Sequence, residues 1–372
     1  MKPVQFRKYL LLGAAMATVC LFLYLSADLG ERSSKLSSTW SRETQMDSNG
    51  KASDDKMSYI KEVVSKPKID HTKFVNKTKR APSASTKKVM TEPSQDLLQL
   101  LKRAAMVDKT ILMTAINEAW AAPNSFLDLF LESFHQGEQI EHLLKHLIIV
   151  AMDPKAFDRC KAVHHLCYFL KIPGFDFTSE QSYMKKDYLE MMWGRNKFQQ
   201  SILEFGYNFL FTDVDIVWFR EPFQHIQPDA HIIMSTDFYI GDPNSLGNYP
   251  NGGFLYVKSS KKTVEFYKNW RLARERFPGH HEQYVFDKTK GEISAKLHVK
   301  IQFLDTTYFG GFCQHGKDLN KICTMHANCC IGLENKLFDL RNVLEDWKGY
   351  KAQLAERRMS DFSWRVPGRC IH

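Results

Sequence analysis

Asp213-Val214-Asp215 is the segment of this chain whose residue types and spacing most plainly permit chemistry. It follows the apolar run Asn208–Thr212 and precedes Ile216-Val217-Trp218-Phe219. Carboxylates set between apolar runs are costly unless they are paired or bind a cation. If 213–215 are extended, both carboxylates share one face of the chain. Such a pair can hold Mg²⁺ or Mn²⁺ and leave coordination positions open for a diphosphate. The ion would offset negative charge on a departing nucleotide diphosphate. Two other readings use the same residues. Both Asp side chains can belong to an ordinary surface turn. The string from Asp213 to Val217 also fits the D-x-D-x-[TV] opening of phosphatase domains, where the first Asp is a phosphoryl nucleophile. That motif normally follows the first strand of its domain, whereas here it follows roughly the fourth.

The elements around the motif alternate. The continuous apolar runs at 110–116, 146–151, 166–170 and 208–212 have strand length. Between them, 124–134, 156–165 and 183–205 carry helical spacing, the first capped by Asn124 or Ser125. A shorter amphipathic helix is expected at 97–107. This order predicts an α/β fold with a parallel sheet covered by helices on both faces, whose ligands sit beyond the carboxyl ends of the strands. The later part is less regular, with strands expected at 231–235, 253–258 and 299–304 and a helix at 262–276. No second linker or internal repeat is evident, so 96–372 reads as one domain, α/β first and mixed afterwards.

The chain has 372 residues, a net charge of +9 and 44% hydrophobic residues, enough to bury a sizeable core. Residues 1–95 carry +8 of that charge and residues 96–372 only +1. Most of the composition case for a nucleic-acid partner is therefore removed. Residues 1–8 are a short basic tail. Residues 9–27 carry no charge, and as a helix would rise about 28 Å, one hydrocarbon core. Basic residues before this run favour a cytoplasmic amino end, which reads as a signal-anchor with the remainder lumenal. A cleaved signal peptide is the rival, but the run is long and Leu25-Ser26-Ala27 is a poor cleavage match. Residues 28–95 are rich in Ser, Thr, Lys and Asp and read as a disordered stem, with a glycosylation sequon at Asn76. Seven cysteines lie beyond the anchor, so at least one is unpaired or bonds between chains. A lumenal site favours disulfides over a zinc site among the four at 313–330, and the connectivity is open.

The segments 114–134, 187–223, 251–270 and 303–347 together resemble the nucleotide-diphospho-sugar transferase family known from plant cell-wall arabinosyl- and xylosyltransferases. They occur in the family's order and span most of the lumenal part. The resemblance implies a GT-A fold, a Rossmann-like nucleotide half joined to an acceptor half. It further implies a nucleotide diphosphate sugar donor, a glycan or glycoprotein acceptor, Mn²⁺ or Mg²⁺, retaining chemistry, and a type II Golgi membrane protein. Relatives suggest a pentose or galactose donor. A non-catalytic lumenal carbohydrate-binding or scaffold protein of the same fold is the alternative.

Roles follow from the resemblance. Asp213 and Asp215 are the expected metal and diphosphate residues, with His326 the candidate third ligand and Lys336 a cation near the diphosphate. Thr114, Ala115 and Asn117 end the first strand, where base and ribose are expected. Arg195 and Lys197 are candidates to neutralise phosphate, though exposed helix charges are commoner. Asn251-Gly252-Gly253 allows close approach of a sugar, or forms a plain Asn-Gly turn. His281 and Gln283, from a family H-[DE]-Q element, are expected near the acceptor. A double displacement needs a further carboxylate, for which Asp237 and Glu282 are both available and spacing selects neither; a front-face mechanism, with the leaving diphosphate assisting the acceptor hydroxyl, needs none.

Overall fold

A computed structural model of the chain describes residues 92–172, 174, 185–356, 363–365 and 367–370. The expected tail, the anchor, the Asn76 sequon and the stem up to residue 91 lie outside the described residues; residues 92–95, expected as the end of a disordered stem, instead open a helix whose apolar face is buried from Leu97 onward. Among those described, no helix is long and apolar enough to cross a membrane.

Helix α1 (Glu92–Ala104) leads into β1 (Thr110–Ile116). Then come α2 (Glu118–Ala121), α3 (Phe126–Gln136), β2 (Leu147–Ala151), α4 (Pro154–Val163) and β3 (Cys167–Phe169). Helix α5 (Lys186–Glu204) and β4 (Asn208–Thr212) complete an alternating first half. Local chemistry sets these boundaries. Asp153 caps α4 by accepting the Ala156 amide at 2.9 Å, with Pro154 in the first turn. Phe126, Phe130 and Phe134 recur at helical spacing and bury one face of α3.

The second half comprises β5 (Ile216–Trp218), β6 (Ile232–Phe238), β7 (Tyr249–Val257), α6 (Lys261–Ala273), α7 (Glu282–Leu297), β8 (Ile301–Phe303), β9 (Phe309–Gly311), β10 (Thr324–His326) and α8 (Leu333–Ala355). A capping box between Ser260 and Thr263 starts α6.

Seven strands form one sheet in the order β3-β2-β1-β4-β7-β6-β8. The pairs among β1 to β4 are parallel, whereas β7 runs antiparallel to both β4 and β6. The sheet is therefore mixed. Alternation sends Leu112 and Ile116 of β1 into one core and Ile111 and Met113 into the other, so both faces are buried. From β1 the chain winds outward to β2 and β3, then returns to β4 on the other side of β1. That reversal opens a crevice beyond the carboxyl ends of β1 and β4. A second sheet, β5-β10-β9, stands after this point.

Two differences from the sequence expectation matter. Residues 213–215 are a turn rather than an extended strand, because the chain leaves the large sheet after Thr212 and enters the small one at Ile216. The intervening Val214 is buried. The small sheet and helices α7 and α8 are additional elements. The cysteines agree with the expectation of disulfides and an unpaired thiol: six pair as Cys160–Cys167, Cys313–Cys329 and Cys330–Cys370, which leaves Cys323 as a buried thiol.

Candidate metal and nucleotide-sugar site

The turn after β4 delivers two carboxylates to the crevice, and β10 delivers an imidazole to meet them. Strand pairing sets this meeting: β10 lies antiparallel to β5 with His326 opposite Ile216, and the Ala327 amide donates to the Asp215 carbonyl at 3.1 Å. One ligand atom each from Asp213, Asp215 and His326 falls within 4.8 Å of the others. His326 Nε2 is 3.3 Å from Asp215 Oδ1 and 4.0 Å from Asp213 Oδ2.

Each carboxylate is braced by its own cation. Lys336, in the first turn of α8, donates from Nζ to Asp215 Oδ2 at 2.7 Å, and its ammonium lies 5.8 Å from the Trp120 ring centre. Arg195, on α5, donates to Asp213 Oδ1 at 3.0 Å and to Glu282 Oε1 at 2.8 Å. The Arg195 guanidinium also lies over the Phe211 ring, 4.5 Å from its centre. The Arg195 side chain is 11% exposed and Glu282 8%, so their pair is mostly desolvated, whereas Asp213 at 32% stays open to the crevice.

Gly253 forms the floor. Its carbonyl accepts the Asp213 amide at 2.7 Å. A Cβ built there would lie 2.5 Å from His326 Cε1 and 2.8 Å from both Asp213 Oδ2 and Asn251 Oδ1. Only hydrogen fits. Gly252 is different: its amide donates to Gln283 Oε1 at 2.8 Å, and a Cβ would meet nothing closer than that oxygen at 3.6 Å.

The electrostatics follow from burial and these partners. Burial drives the Asp215 carboxyl upward, but Lys336 and His326 outweigh it and hold the group well below the ordinary carboxylate range. Burial raises Asp213, and repulsion from Asp215 adds to this, against the pull of Arg195; the net direction is up. Burial alone would lower His326, yet the two carboxylates prevail and raise it. The cluster thus draws positive charge to its centre. Two carboxylate oxygens and one imidazole nitrogen around one point fit a divalent ion, and the mixed O/N set suits Mn²⁺ at least as well as Mg²⁺.

The remaining predicted residues are placed unevenly. Asn117 is buried at the end of β1 and caps α2, its Oδ1 accepting the Trp120 amide at 3.3 Å. Thr114 is fully buried, its Oγ1 without a hydrogen-bond partner among the described residues, and Ala115 is half-buried. Lys197 does not join the cluster. It follows Arg195 by two positions on α5, about 200° around the helix, and is exposed. His281 is half-buried at the start of α7, with Nδ1 3.9 Å from Glu282 Oε2. Gln283 braces Gly252. Glu282 is the counter-ion of Arg195.

Sequence reasoning missed Trp120 beside Lys336, and it missed Asn328, whose Nδ2 donates to Asp237 Oδ1 at 2.9 Å. Asn328 could have been suspected, because it stands two residues after His326 on the same short segment and immediately before Cys329.

A model of the nucleotide-diphospho-sugar transferase family matches residues 142–340. Among curated relatives, an uncharacterised Arabidopsis thaliana protein is 44% identical over 282 residues, covering 75% of each chain. A second uncharacterised Arabidopsis protein is 37% identical over 267 residues, covering 70% of this chain and 80% of its own. An Arabidopsis arabinosyltransferase, XEG113, is 27% identical over 192 residues, covering 45% of this chain and 27% of its own. By the extent of the family match and of the first two similarities, this chain belongs to the nucleotide-diphospho-sugar transferase family.

Proposed function

We propose that this chain is a metal-dependent glycosyltransferase of GT-A type, moving a pentose or galactose from a nucleotide diphosphate sugar to a glycan or glycoprotein acceptor with retention. The observation that carries this is the convergence of Asp213, Asp215 and His326 within 4.8 Å at the sheet's switch point, on a chain of this family. The arabinosyltransferase similarity favours a pentose. Golgi residence and type II anchoring rest on the uncharged run at 9–27 and on the family resemblance, and three disulfides suit an oxidising lumen.

Asp213, Asp215 and His326 would hold the ion, which when bound offsets negative charge on the leaving diphosphate. The chain's own residues supply the rest. Arg195 fixes Asp213 by a charge-assisted bond and is itself fixed by Glu282, so the carboxylate needs little reorganisation when a ligand arrives. Lys336 offers an ammonium next to Asp215, a point charge that diphosphate oxygens can share. Gly253 keeps the floor low enough for a ligand to approach the ion site.

The test is a panel of nucleotide sugars offered to purified protein with Mn²⁺, read as released nucleotide and as glycosylated acceptor. Turnover of one donor class is expected. Glycan binding with no turnover of any donor would contradict the proposal and favour a non-catalytic carbohydrate-binding protein.

A further inference from the structure

A third carboxylate stands beside the cluster in a setting that packing alone does not explain. Strands β6 and β7 pair Thr236 with Pro250 and Phe238 with Tyr249, which leaves Asp237 as the extra residue of a β-bulge. Bulges re-aim side chains and are common beside active sites. Asp237 Oδ1 accepts two amide hydrogen bonds, from Asn251 Nδ2 at 2.8 Å and from Asn328 Nδ2 at 2.9 Å.

Both amides are themselves fixed. Asn251 Oδ1 accepts the Gly253 amide at 2.8 Å, and the Asn251 carbonyl accepts Ser235 Oγ at 3.0 Å. Asn328 Oδ1 accepts the Cys313 amide at 3.2 Å, and the disulfide Cys313–Cys329 ties the two segments together. A Cβ on Gly311 would come within 2.3 Å of Asn328 Oδ1, so this glycine makes room for the amide. Each amide oxygen faces an N–H, which turns each amide nitrogen to Asp237.

A neutral amide at position 237 would accept the same two bonds. The negative charge and the second oxygen are therefore surplus to the scaffold. No Lys, Arg or His pairs with Asp237 among the described residues, and Oδ2 has no hydrogen-bond partner among them. In this half-buried carboxylate Oδ2 is not among the buried atoms left without a partner, so it keeps access from outside and is open to a donor that a ligand brings. Its charge excludes a phosphate and suits hydroxyl groups. Its position is tied to the metal cluster, because Asn251 bridges it to Gly253, which lies against His326 and Asp213. In a nucleotide diphosphate sugar, the group next to the diphosphate is the glycosyl ring.

We infer that Asp237 recognises a hydroxyl of the donor's glycosyl group through Oδ2, with Asn251, Asn328 and the Cys313–Cys329 disulfide as its positioning groups. This rests on the function proposed above. It gives the bulge, the glycine at 311 and the disulfide one shared purpose, and makes Asp237 a determinant of donor choice.

Asp237→Asn keeps the clamped oxygen and replaces the free one with an NH₂, so it tests recognition with little change in shape. The assay uses the full protein, Mn²⁺, a nucleoside diphosphate, the active nucleotide sugar and its monodeoxy analogues. The variant should bind nucleoside diphosphate with Mn²⁺ within about twofold of wild type, yet lose about 10- to 100-fold in kcat/KM, the range for a hydrogen bond to a charged group. One deoxy analogue should lose a similar factor with wild type and nothing further with Asp237→Asn. A loss of hydroxyl alone, or of folding alone, would not produce that cancellation. Asp237→Ser is read in the same way should the first variant fold poorly. Wild-type turnover in either variant, or an undiminished deoxy effect, overturns the assignment of Asp237 while the transferase function stands. Failure of wild type itself to bind any nucleoside diphosphate with Mn²⁺ overturns the underlying function, and this inference with it.

Discussion

Gly253→Ala should disable the site, whereas its neighbour Gly252→Ala should not. Carbon atoms pack at about 3.5–4.0 Å. The added methyl at 253 would lie 2.5 Å from His326 Cε1, so the ring must retreat by roughly 1 Å to reach that contact. The backbone gives little relief, since the Gly253 carbonyl is bonded to the Asp213 amide and its own amide to Asn251. Displacement of that size at a reacting site costs on the order of 10²-fold in rate. Overpacking adds roughly 1–3 kcal/mol of destabilisation. At Gly252 the new methyl meets only Gln283 Oε1, at an ordinary 3.6 Å. Neither glycine has a positive φ, so sterics alone separate the two variants. Mn²⁺ titration, turnover of the active donor and a urea melt on both proteins provide the assay. Gly253→Ala should lose about two orders of magnitude in turnover and bind Mn²⁺ more weakly; Gly252→Ala should stay within about twofold. Equal behaviour of the two would refute the view that Gly253 is the floor of a metal site.

Arg195→Gln leaves Asp213 and Glu282 without their shared cation, and stranding a buried charge costs about 3–5 kcal/mol; a urea midpoint unchanged from wild type would argue against that charge chain. The His326 pKa is raised, so in metal-free protein its protonated form adds stability that is fully present below the ordinary imidazole range and is lost as pH rises through the raised value. The depressed Asp215 works in the opposite sense: its contribution is present above the ordinary carboxylate range and lost as pH falls toward its lowered value. Mn²⁺ must displace the His326 proton, so affinity should rise with pH and binding should release protons, as calorimetry in buffers of different ionisation heat would reveal; affinity flat with pH would exclude His326 as a ligand. Burial pushes the Cys323 thiol up to about 12, so maleimide should label it only after unfolding, and rapid labelling of the native protein, mapped by mass spectrometry, would contradict its placement.

The legible parts of this molecule were the local ones. Apolar runs of strand length separated by helical spacing foretold β1, β2 and β4, because each is buried on both faces and so carries no charged residue. Strands β9 and β10 have three residues each, and Phe309–Gly311 is mostly glycine, so neither propensity nor period marks them. Helix α7 carries charges on several sides and a mid-helix glycine at 291, which hides its apolar face. The D-x-D pair was visible for its own sake, but the turn that aims it was not, since the need for that turn comes from a second sheet built by residues a hundred positions later. The Asp237–Asn328 bond and the disulfide pairs are likewise non-local. Lys197 illustrates the converse error, as a charge beside the right residue in sequence lies on the other side of the helix.

The central claim is that Asp213, Asp215 and His326 bind a divalent ion that in turn holds a nucleotide diphosphate. Calorimetric titration of a nucleoside diphosphate into wild type and Asp215→Ala, each with Mn²⁺ and with chelator, tests it directly. The wild type should bind only with Mn²⁺, and Asp215→Ala, still folded, should lose that metal-dependent binding. Equal binding by the two proteins, or wild-type binding that ignores the metal, would contradict the claim.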